Sequence, residues 1–246
     1  MGKIRLDRYL ADMGLGTRTE VKKDIKKGRI SVNEEIVKSP EYKIDTQTDI
    51  VLADGKEIAY EELVYYMLNK PQGVISATED RREKTVLDLI SDKKRKDLFP
   101  VGRLDKDTEG LLLITNDGEL AHNLLAPKKH VDKKYFVRLK TALSEDNRKQ
   151  LEEGVDIGED KLTMPSQVFL LNKEKDEAEI IIREGKFHQI KRMFHAVGNE
   201  VIFLKRLSMG SLVLDENLLP GEYRLLTPEE IERLKENARS EERRVG

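Results

Sequence analysis

The chain has 246 residues, of which 37% are charged, yet its formal net charge is only −2. It contains no cysteine, which excludes disulfides, thiolate zinc sites and a cysteine nucleophile. No apolar run approaches the roughly 20 residues that cross a bilayer, and the N-terminus lacks the apolar stretch of a signal peptide. We therefore expect a cytoplasmic protein, in which any surface that binds nucleic acid concentrates its positive charge locally.

Residues 1–58 predict a small, helix-rich module. The apolar face of a first helix is spaced i, i+3, i+4 and i+7, with Leu6, Tyr9, Leu10 and Met13 at these positions. Thr17 and Glu20 form a capping-box signature for a second helix, which ends at Gly28. A hairpin with its turn near Asn33 and Glu34 and a short strand over residues 49–53 complete the module.

The second helix is strongly basic. Residues 18–29 contain six Lys and Arg residues against two acids. Its apolar positions are Val21 and Ile25, and its outer face carries Lys22, Lys23, Lys26 and Lys27. A solvated basic face is an ordinary feature of soluble helices. However, the order of helix, glycine break, basic helix and Gly28-Arg29-Ile30-Ser31-Val32-Asn33 resembles the RNA-binding module of small-subunit ribosomal protein S4. The resemblance implies that these lysines and Arg29 lie along RNA phosphates.

A larger domain is predicted over residues 63–238, followed by a charged tail at 239–246. Its strands are expected at residues 64–68, 111–115, 134–140, 163–171 and 179–183, and its helices at 119–125, after Ser144 and after Thr227. Runs of strands with few intervening helices favour an antiparallel arrangement. The predicted fold class is therefore α+β, in which the small module precedes a domain with a mixed, mostly antiparallel sheet flanked by helices and loops.

A charged loop over residues 103–109 leads into the strand at 111–115. Charged loops usually face water, and Asp105, Asp107 and Glu109 also imitate the start of a calcium loop. That loop requires a glutamate at its twelfth position, where Asn116 stands. A carboxylate on a short loop feeding a rigid strand is instead a common placement for a catalytic group.

Two later segments carry further candidate residues. Tyr135 lies early on a predicted strand, where a tyrosine is more often a core residue. On a helix, Phe187, Ile190 and Phe194 would form a core face, and the opposite face would carry His188, Lys191, Arg192 and His195. Two histidines at i and i+7 make a poor metal pair. The stripe is therefore suited to a phosphate or a carboxylate.

Four segments, in this order, resemble the active-site motifs of the pseudouridine synthase family: 69–76 (Asn-Lys-Pro-Gln-Gly-Val-Ile-Ser), 102–105 (Gly-Arg-Leu-Asp), 133–137 (Lys-Lys-Tyr-Phe-Val) and 188–193 (His-Gln-Ile-Lys-Arg-Met). The resemblance covers nearly the whole chain and implies a uridine-to-pseudouridine isomerase without cofactor or metal. It makes Asp105 the catalytic residue, Tyr135 the ring that stacks on the target base and Lys191 the partner of Asp105. The resemblance and the charge pattern together make Arg103, His188 and Arg192 substrate-binding candidates. Lys191 stands where related synthases usually carry an arginine, which keeps the charge but loses the bidentate fork.

Within the family, the chain most resembles the enzymes that modify small-subunit ribosomal RNA. The expected partner is this RNA, either free or in a partly assembled subunit, and the expected state is a monomer without membrane contact. Two alternatives remain: a large-subunit rRNA synthase, and a non-catalytic RNA-binding protein of ribosome assembly. A metal-dependent phosphoesterase would need Asp and His ligands that converge in space. The sequence leaves open whether Asp105 acts as a nucleophile or as a base.

Overall fold

The computed structural model describes residues 3–240, with side chains up to residue 236. The chain divides into two compact units. The first takes the chain up to Val64 and adds Ser91–Leu98, and the second takes Tyr65–Ile90 and the chain from Phe99 onward. Of the predicted charged tail, residues 241–246 lie outside the described residues. Within the described range, no helix combines the length and apolar character that a membrane span requires.

The first unit is built from two short helices and two small sheets. Its elements are β1 (Ile4–Arg5), α1 (Leu6–Asp12), α2 (Arg18–Lys26), β2 (Ile30–Val32), β3 (Glu35–Ile36), β4 (Lys43–Ile44), β5 (Val51–Ala53) and β6 (Lys56–Glu57). β1 pairs with β4, and the other strands form an antiparallel sheet in the order β3-β2-β5-β6. Leu6 and Leu10 of α1 pack with Val21 and Ile25 of α2 in one buried cluster, as the apolar spacing predicts.

The start of α2 and the hairpin turn follow directly from local chemistry. The Thr17 hydroxyl accepts from the backbone N–H of Glu20, and the Glu20 carboxylate accepts from the backbone N–H of Thr17 at 2.7 Å. The predicted capping box is therefore confirmed. Gly28 follows the helix with a φ of +76°, a conformation that glycine adopts without a steric penalty. Asn33 and Glu34 both have positive φ, which places the hairpin turn at the predicted position.

The segment Ser91–Leu98 returns from the second unit to pack within the first. The side chain of Arg95 is only 4% exposed and forms an ion pair with Asp97 at 2.7 Å. Its guanidinium also donates to the backbone carbonyl of Glu61 at 2.9 Å and lies over the Tyr60 ring. The sequence pattern does not predict that Ser91–Leu98 packs within the first unit, because Arg95 and Glu61 lie more than 30 positions apart.

The second unit contains a nine-stranded sheet and four helices. Its elements are β7 (Tyr65–Lys70), β8 (Phe99–Pro100), β9 (Glu109–Thr115), α3 (Gly118–Leu125), β10 (Lys133–Leu139), α4 (Glu145–Glu153), β11 (Gln167–Leu170), β12 (Glu177–Ile182), α5 (Gln189–Ala196), β13 (Val201–Met209), β14 (Leu212–Val213), β15 (Tyr223–Leu225) and α6 (Pro228–Ser240), with 3-10 turns at Val86–Leu89 and Pro127–Lys129.

The main path of the sheet runs β11-β12-β10-β13-β9-β7-β15, with β14 on β13 and β8 on β9. Only the β9–β13 pairing is parallel among those described, so the predicted mixed, mostly antiparallel sheet is confirmed. Gly110 lies at this pairing with a φ of +103°, and a Cβ there would be 2.2 Å from the carbonyl oxygen of Arg206. Only glycine permits this approach, which fixes the start of β9 against β13.

Three expectations require correction. β13 is the longest strand and lies in the middle of the sheet, but no strand was predicted there. The strand expected over residues 163–171 is formed only at Gln167–Leu170. Phe187 is not a core residue: it precedes α5 and is 73% exposed, whereas Ile190 and Phe194 are buried as predicted. The reason is that the helix begins at Gln189, after a residue, His188, in the left-handed conformation.

Candidate active site

The loop that carries Asp105 is hydrogen-bonded to the segment that follows β7. The Ser76 hydroxyl donates to the carbonyl of Leu104 at 2.9 Å and accepts from the N–H of the same residue at 3.0 Å. The N–H of Gly73 donates to the carbonyl of Lys106 at 2.8 Å. Because β7 and β9 are paired strands of the sheet, both segments rest on rigid structure.

Lys70, the last residue of β7, supports this loop from inside the protein. Its side chain is fully buried, and its ammonium donates to the carbonyls of Pro71 and Asp105, both at 3.0 Å, and of Thr108 at 2.9 Å. Burial lowers the pKa of Lys70 to about 8, although the nearby carboxylates of Asp107 and Asp105 oppose the shift. The ammonium thus replaces water as the donor to the loop carbonyls.

The Asp105 carboxylate meets two side chains from the start of α5. Lys191 Nζ lies 3.1 Å from Asp105 Oδ2, and His188 Nε2 lies 3.5 Å from Asp105 Oδ1. Lys191 also contacts Asp107 Oδ1 at 2.5 Å. A single ammonium therefore lies between two carboxylates of one loop and fixes the orientation of both.

The charge of Lys191 is secured by these two partners. Burial tends to lower the pKa of Lys191, but the hydrogen bonds and charges of Asp107 and Asp105 outweigh it and raise that pKa. Partial burial likewise tends to raise the pKa of Asp107, and the bond from Lys191 reverses this and lowers it. The cationic stripe predicted for this segment therefore provides Lys191 as the partner of a carboxylate. Binding a carboxylate is one of the two roles predicted for the stripe, and binding a phosphate is the other.

A cleft opens beside Asp105. Tyr135 of β10 lies in its wall with only 7% of its surface exposed. The apolar part of the wall comes from Leu104, Ile182, Ile190 and Leu204. The polar part comes from Arg103, Asp105, Thr108, Lys186, His188, Gln189 and Lys191. A planar apolar ligand with polar edges, such as a nucleobase, fits a cleft of this composition.

Comparisons with known proteins agree with this geometry. The model of the RNA pseudouridylate synthase family matches residues 64–196, and the S4 domain model matches residues 4–51. The chain belongs to the RNA pseudouridylate synthase family. It is 49% identical to an uncharacterized RNA pseudouridine synthase of Bacillus subtilis, over 95% of this chain and 99% of the relative.

Further relatives support the same placement. A ribosomal small subunit pseudouridine synthase A of Vibrio vulnificus is 43% identical over 93% of this chain and 98% of its own length. A crystal structure of a pseudouridylate synthase superimposes with a TM-score of 0.67 at 38% identity, covering 94% of this chain and 99% of that one. The family, the S4-like module and the synthase domain expected from the sequence are all confirmed.

The synthase structure brings together five of the six candidates predicted in this domain. Asp105, Tyr135, Lys191, His188 and Arg103 all line the cleft. Arg192 does not, because its guanidinium pairs with Glu159 at 2.8 Å and donates to the carbonyl of Ile157.

The helix therefore separates the two neighbouring cations: Lys191 faces the Asp105 loop, and Arg192 faces the chain after α4. His195 also lies elsewhere, in a shallow depression with Lys140 and Glu200. Within residues 3–236, no group of three or more His, Asp or Glu side chains is arranged to hold a metal ion.

The basic residues of the S4 domain differ in whether a carboxylate lies close to their charged group. Lys23, Lys26 and Lys27 are exposed. Lys22 lies 3.7 Å from the buried carboxylate of Asp7. Arg29 is less accessible for phosphate than its position in the sequence predicts, because it pairs with Asp24 at 2.9 Å and also with Asp54. Of the five predicted phosphate-binding residues of the synthase, Lys22 and Arg29 thus share their charge with carboxylates, although 45% and 49% of their side chains are exposed.

Lys70 and Asp107 are site residues to which sequence reasoning gave no role. The segment that contains Lys70 matches a motif of the family. However, a lysine that ends a strand and precedes a proline locally indicates only a turn. Asp107 was weighed only as a calcium ligand. Lys70 is connected to Asp105 by a hydrogen bond from the neighbouring strand, and Asp107 is connected to it through Lys191, so no local pattern records either connection.

Proposed function

We propose that this synthase converts uridine to pseudouridine in small-subunit ribosomal RNA. The observation that carries the substrate is the end-to-end similarity to proteins named ribosomal small subunit pseudouridine synthase A, among them that of Vibrio vulnificus and that of Vibrio cholerae at 41% identity. The S4 domain supports an RNA partner. We further propose that the enzyme is cytoplasmic and works as a monomer, on free RNA or on a partly assembled subunit.

In the proposed reaction, the target uridine leaves its stack and enters the cleft. Flipping costs a few kcal/mol, which contacts to the flanking RNA must offset. The Asp105 carboxylate then either attacks the nucleotide or removes a ribose proton, and in both routes the bond from ribose C1′ to N1 of uracil breaks. Lys191 and His188 hold the carboxylate in place for either route.

The second half of the reaction requires rotation of the detached base and a proton transfer. A new bond forms from C1′ to C5, as the bond from Asp105 to the nucleotide breaks in the first route or the ribose proton returns in the second. The C5 proton leaves and N1 takes up a proton, so that product and substrate have the same composition. Tyr135 forms the wall of the cleft. In the proposed reaction its ring supports the base by stacking, and its hydroxyl assists removal of the C5 proton.

The experiment that tests this function is a map of pseudouridines in total ribosomal RNA from cells with and without the gene. We expect one position of the small-subunit RNA to lose its pseudouridine in the deletion strain. The wild-type gene should restore it, and so should Asp160→Asn, which changes an exposed aspartate. The Asp105→Asn gene should not. A loss confined to large-subunit RNA would contradict the substrate, and an unchanged map would contradict the proposed function as a whole.

A further inference from the structure

Phe187 is the most exposed of the large apolar side chains in the described chain, at 73%. Single exposed apolar residues are common on protein surfaces and need no explanation by themselves. What sets Phe187 apart is its position and its fixed conformation. It stands directly before α5, one residue from His188 in the wall of the cleft.

The Phe187 ring is already stacked on one side. Its centroid lies 3.8 Å from that of the His188 imidazole, and the two planes differ by 19°. The left-handed backbone of His188, with a φ of +48°, allows these consecutive rings to overlap. Such a conformation costs on the order of 1 kcal/mol for a residue other than glycine, and it is retained mainly where the surroundings or the function require it.

The surrounding chain holds this turn in place. The Arg192 guanidinium donates to the carbonyl of Phe187 at 3.1 Å. The Gln189 side chain accepts from the N–H of Lys186 at 2.9 Å and donates to the Glu184 carboxylate at 2.7 Å. The exposed ring is thus presented by an anchored turn, which keeps the entropy cost of a contact low.

The pair of rings begins at the reacting carboxylate, which His188 contacts, and ends at the exposed Phe187 ring. His188 Nε2 lies 3.5 Å from Asp105 Oδ1, so the Phe187 ring is one stacked ring away from the centre of the site. Lys186 and Arg103 line the same cleft; Lys186 pairs with Glu184 at 3.6 Å, so Arg103 is the cation that supplies positive charge for nearby phosphates. An exposed aromatic ring beside cationic side chains is the combination that binds single-stranded nucleic acid.

We propose that Phe187, stacked on His188, is a platform for a nucleobase that neighbours the target uridine. When the target leaves its stack, the adjacent base loses one stacking partner, and the open face of Phe187 replaces it. Stacking on an aromatic side chain is tolerant of base identity, so the platform would contribute affinity and positioning rather than sequence selectivity. This inference rests on the proposed function, since it takes a flipped uridine in RNA as the substrate.

The first test uses the absence of tryptophan from the chain. Phe187→Trp introduces the sole tryptophan, and an Asp105→Asn background prevents turnover. A transcript of small-subunit ribosomal RNA should quench its emission, and inorganic polyphosphate, which has the charge without bases, should not. The matched control is Phe169→Trp on β11. Val168 pairs with Ile180, and Ile180 pairs with Tyr135, so these three side chains lie on one face of the sheet. Phe169 follows Val168 on the same strand, so its side chain lies on the other face.

Quenching of the Phe187→Trp variant by RNA but not by polyphosphate, with the emission of the Phe169→Trp variant unchanged, supports the platform. Unchanged emission of the Phe187→Trp variant while filter binding shows the RNA to be bound overturns it, and so does equal quenching by polyphosphate. Because the readout is a stacking contact, it is independent of whether the wild-type enzyme modifies this RNA, which the pseudouridine map decides separately.

The second test is kinetic and uses RNA that contains the mapped uridine. Phe187→Leu keeps an apolar side chain without an aromatic face and should lower kcat/KM by about tenfold or more, given the usual strength of base stacking. Phe187→Tyr keeps the aromatic face and should stay close to wild type. Equal rates for the Leu and Tyr variants would overturn the platform.

Discussion

Replacing Lys70 by Met tests whether the position of the Asp105 loop depends on a buried ammonium. Methionine fills a similar volume and is apolar, so the substitution removes the charge and three donated hydrogen bonds without opening a large cavity. In the native protein these bonds reach the carbonyls of Pro71, Asp105 and Thr108 at 2.9 to 3.0 Å.

Two opposing effects set the expected change in stability. The Thr108 bond is fully buried and the other two are partly buried, so the lost bonds cost about 3, 1 and 1 kcal/mol, or about 5 kcal/mol together. The pKa of Lys70 falls from 10.5 to about 8, so keeping the buried ammonium charged destabilises the folded protein by roughly 3 kcal/mol. The substitution removes this destabilisation. The net loss is about 2 kcal/mol, or a decrease in Tm of about 4 to 8 °C.

The expected loss of activity is larger than the loss of stability. A displacement of about 1 Å in a reacting group lowers rates by about 100-fold, and Lys70 holds the backbone of Asp105 itself. The measurements are thermal unfolding by circular dichroism and single-turnover pseudouridine formation. The matched control is Lys106→Met on the same loop, where the half-exposed ammonium pairs with Glu83 and should contribute little. If the two variants behave alike in both assays, the reasoning about Lys70 is wrong.

The pH dependence of stability gives an independent check on the buried ammonium. The pKa of Lys70 is about 8 in the folded protein against 10.5 for the ordinary lysine. Between these values the unfolded chain binds more protons at this position than the native state, so the free energy of unfolding gains a contribution that rises with pH. The difference in this free energy between wild type and Lys70→Met, measured by urea unfolding, should therefore grow from about pH 8 to about 10.5. A constant difference would contradict the buried, charged state of Lys70.

Three further variants separate chemistry from binding. Asp105→Asn should abolish product formation and leave RNA affinity within a few fold in filter binding, whereas near wild-type turnover would remove Asp105 from its catalytic role. Tyr135→Phe keeps the ring and should preserve binding but block completion of the reaction; normal product formation would reduce Tyr135 to a packing residue. Changing Lys23, Lys26 and Lys27 to Gln should lower the log-log dependence of affinity on salt by about 0.7 to 0.9 per lost phosphate contact, and an unchanged slope would mean that these lysines only face water.

Local signals in the sequence were sufficient for much of the fold. The capping box at Thr17, the turn at Asn33 and Glu34, and the apolar run of β9 each depend on neighbouring residues. The antiparallel character of the sheet followed from the scarcity of helices between strands. The cluster around Asp105 followed from motifs that recur in the family, and the structure brings Lys191 to it at 3.1 Å.

The remainder depends on long-range contacts. β13 pairs with both β10 and β9. Because a lysine and an arginine interrupt its mostly apolar sequence, the pattern does not predict a central strand. Arg192 was grouped with Lys191 on helical spacing, but its direction is set by Glu159, which is 33 residues away. Phe187 was assigned to the core because the periodicity of α5 was extended one turn too far.

The path of the chain through Ser91–Leu98 limits how this protein can be divided. The backbone passes from one unit to the other at Val64, at Ile90 and again at Leu98, so three covalent links join them. A gene fusion that exchanges residues 1–64 would leave the buried guanidinium of Arg95 without the Glu61 carbonyl and the Tyr60 ring that it contacts. An exchange of the whole first unit between proteins must therefore carry Ser91–Leu98 together with the residues up to Val64.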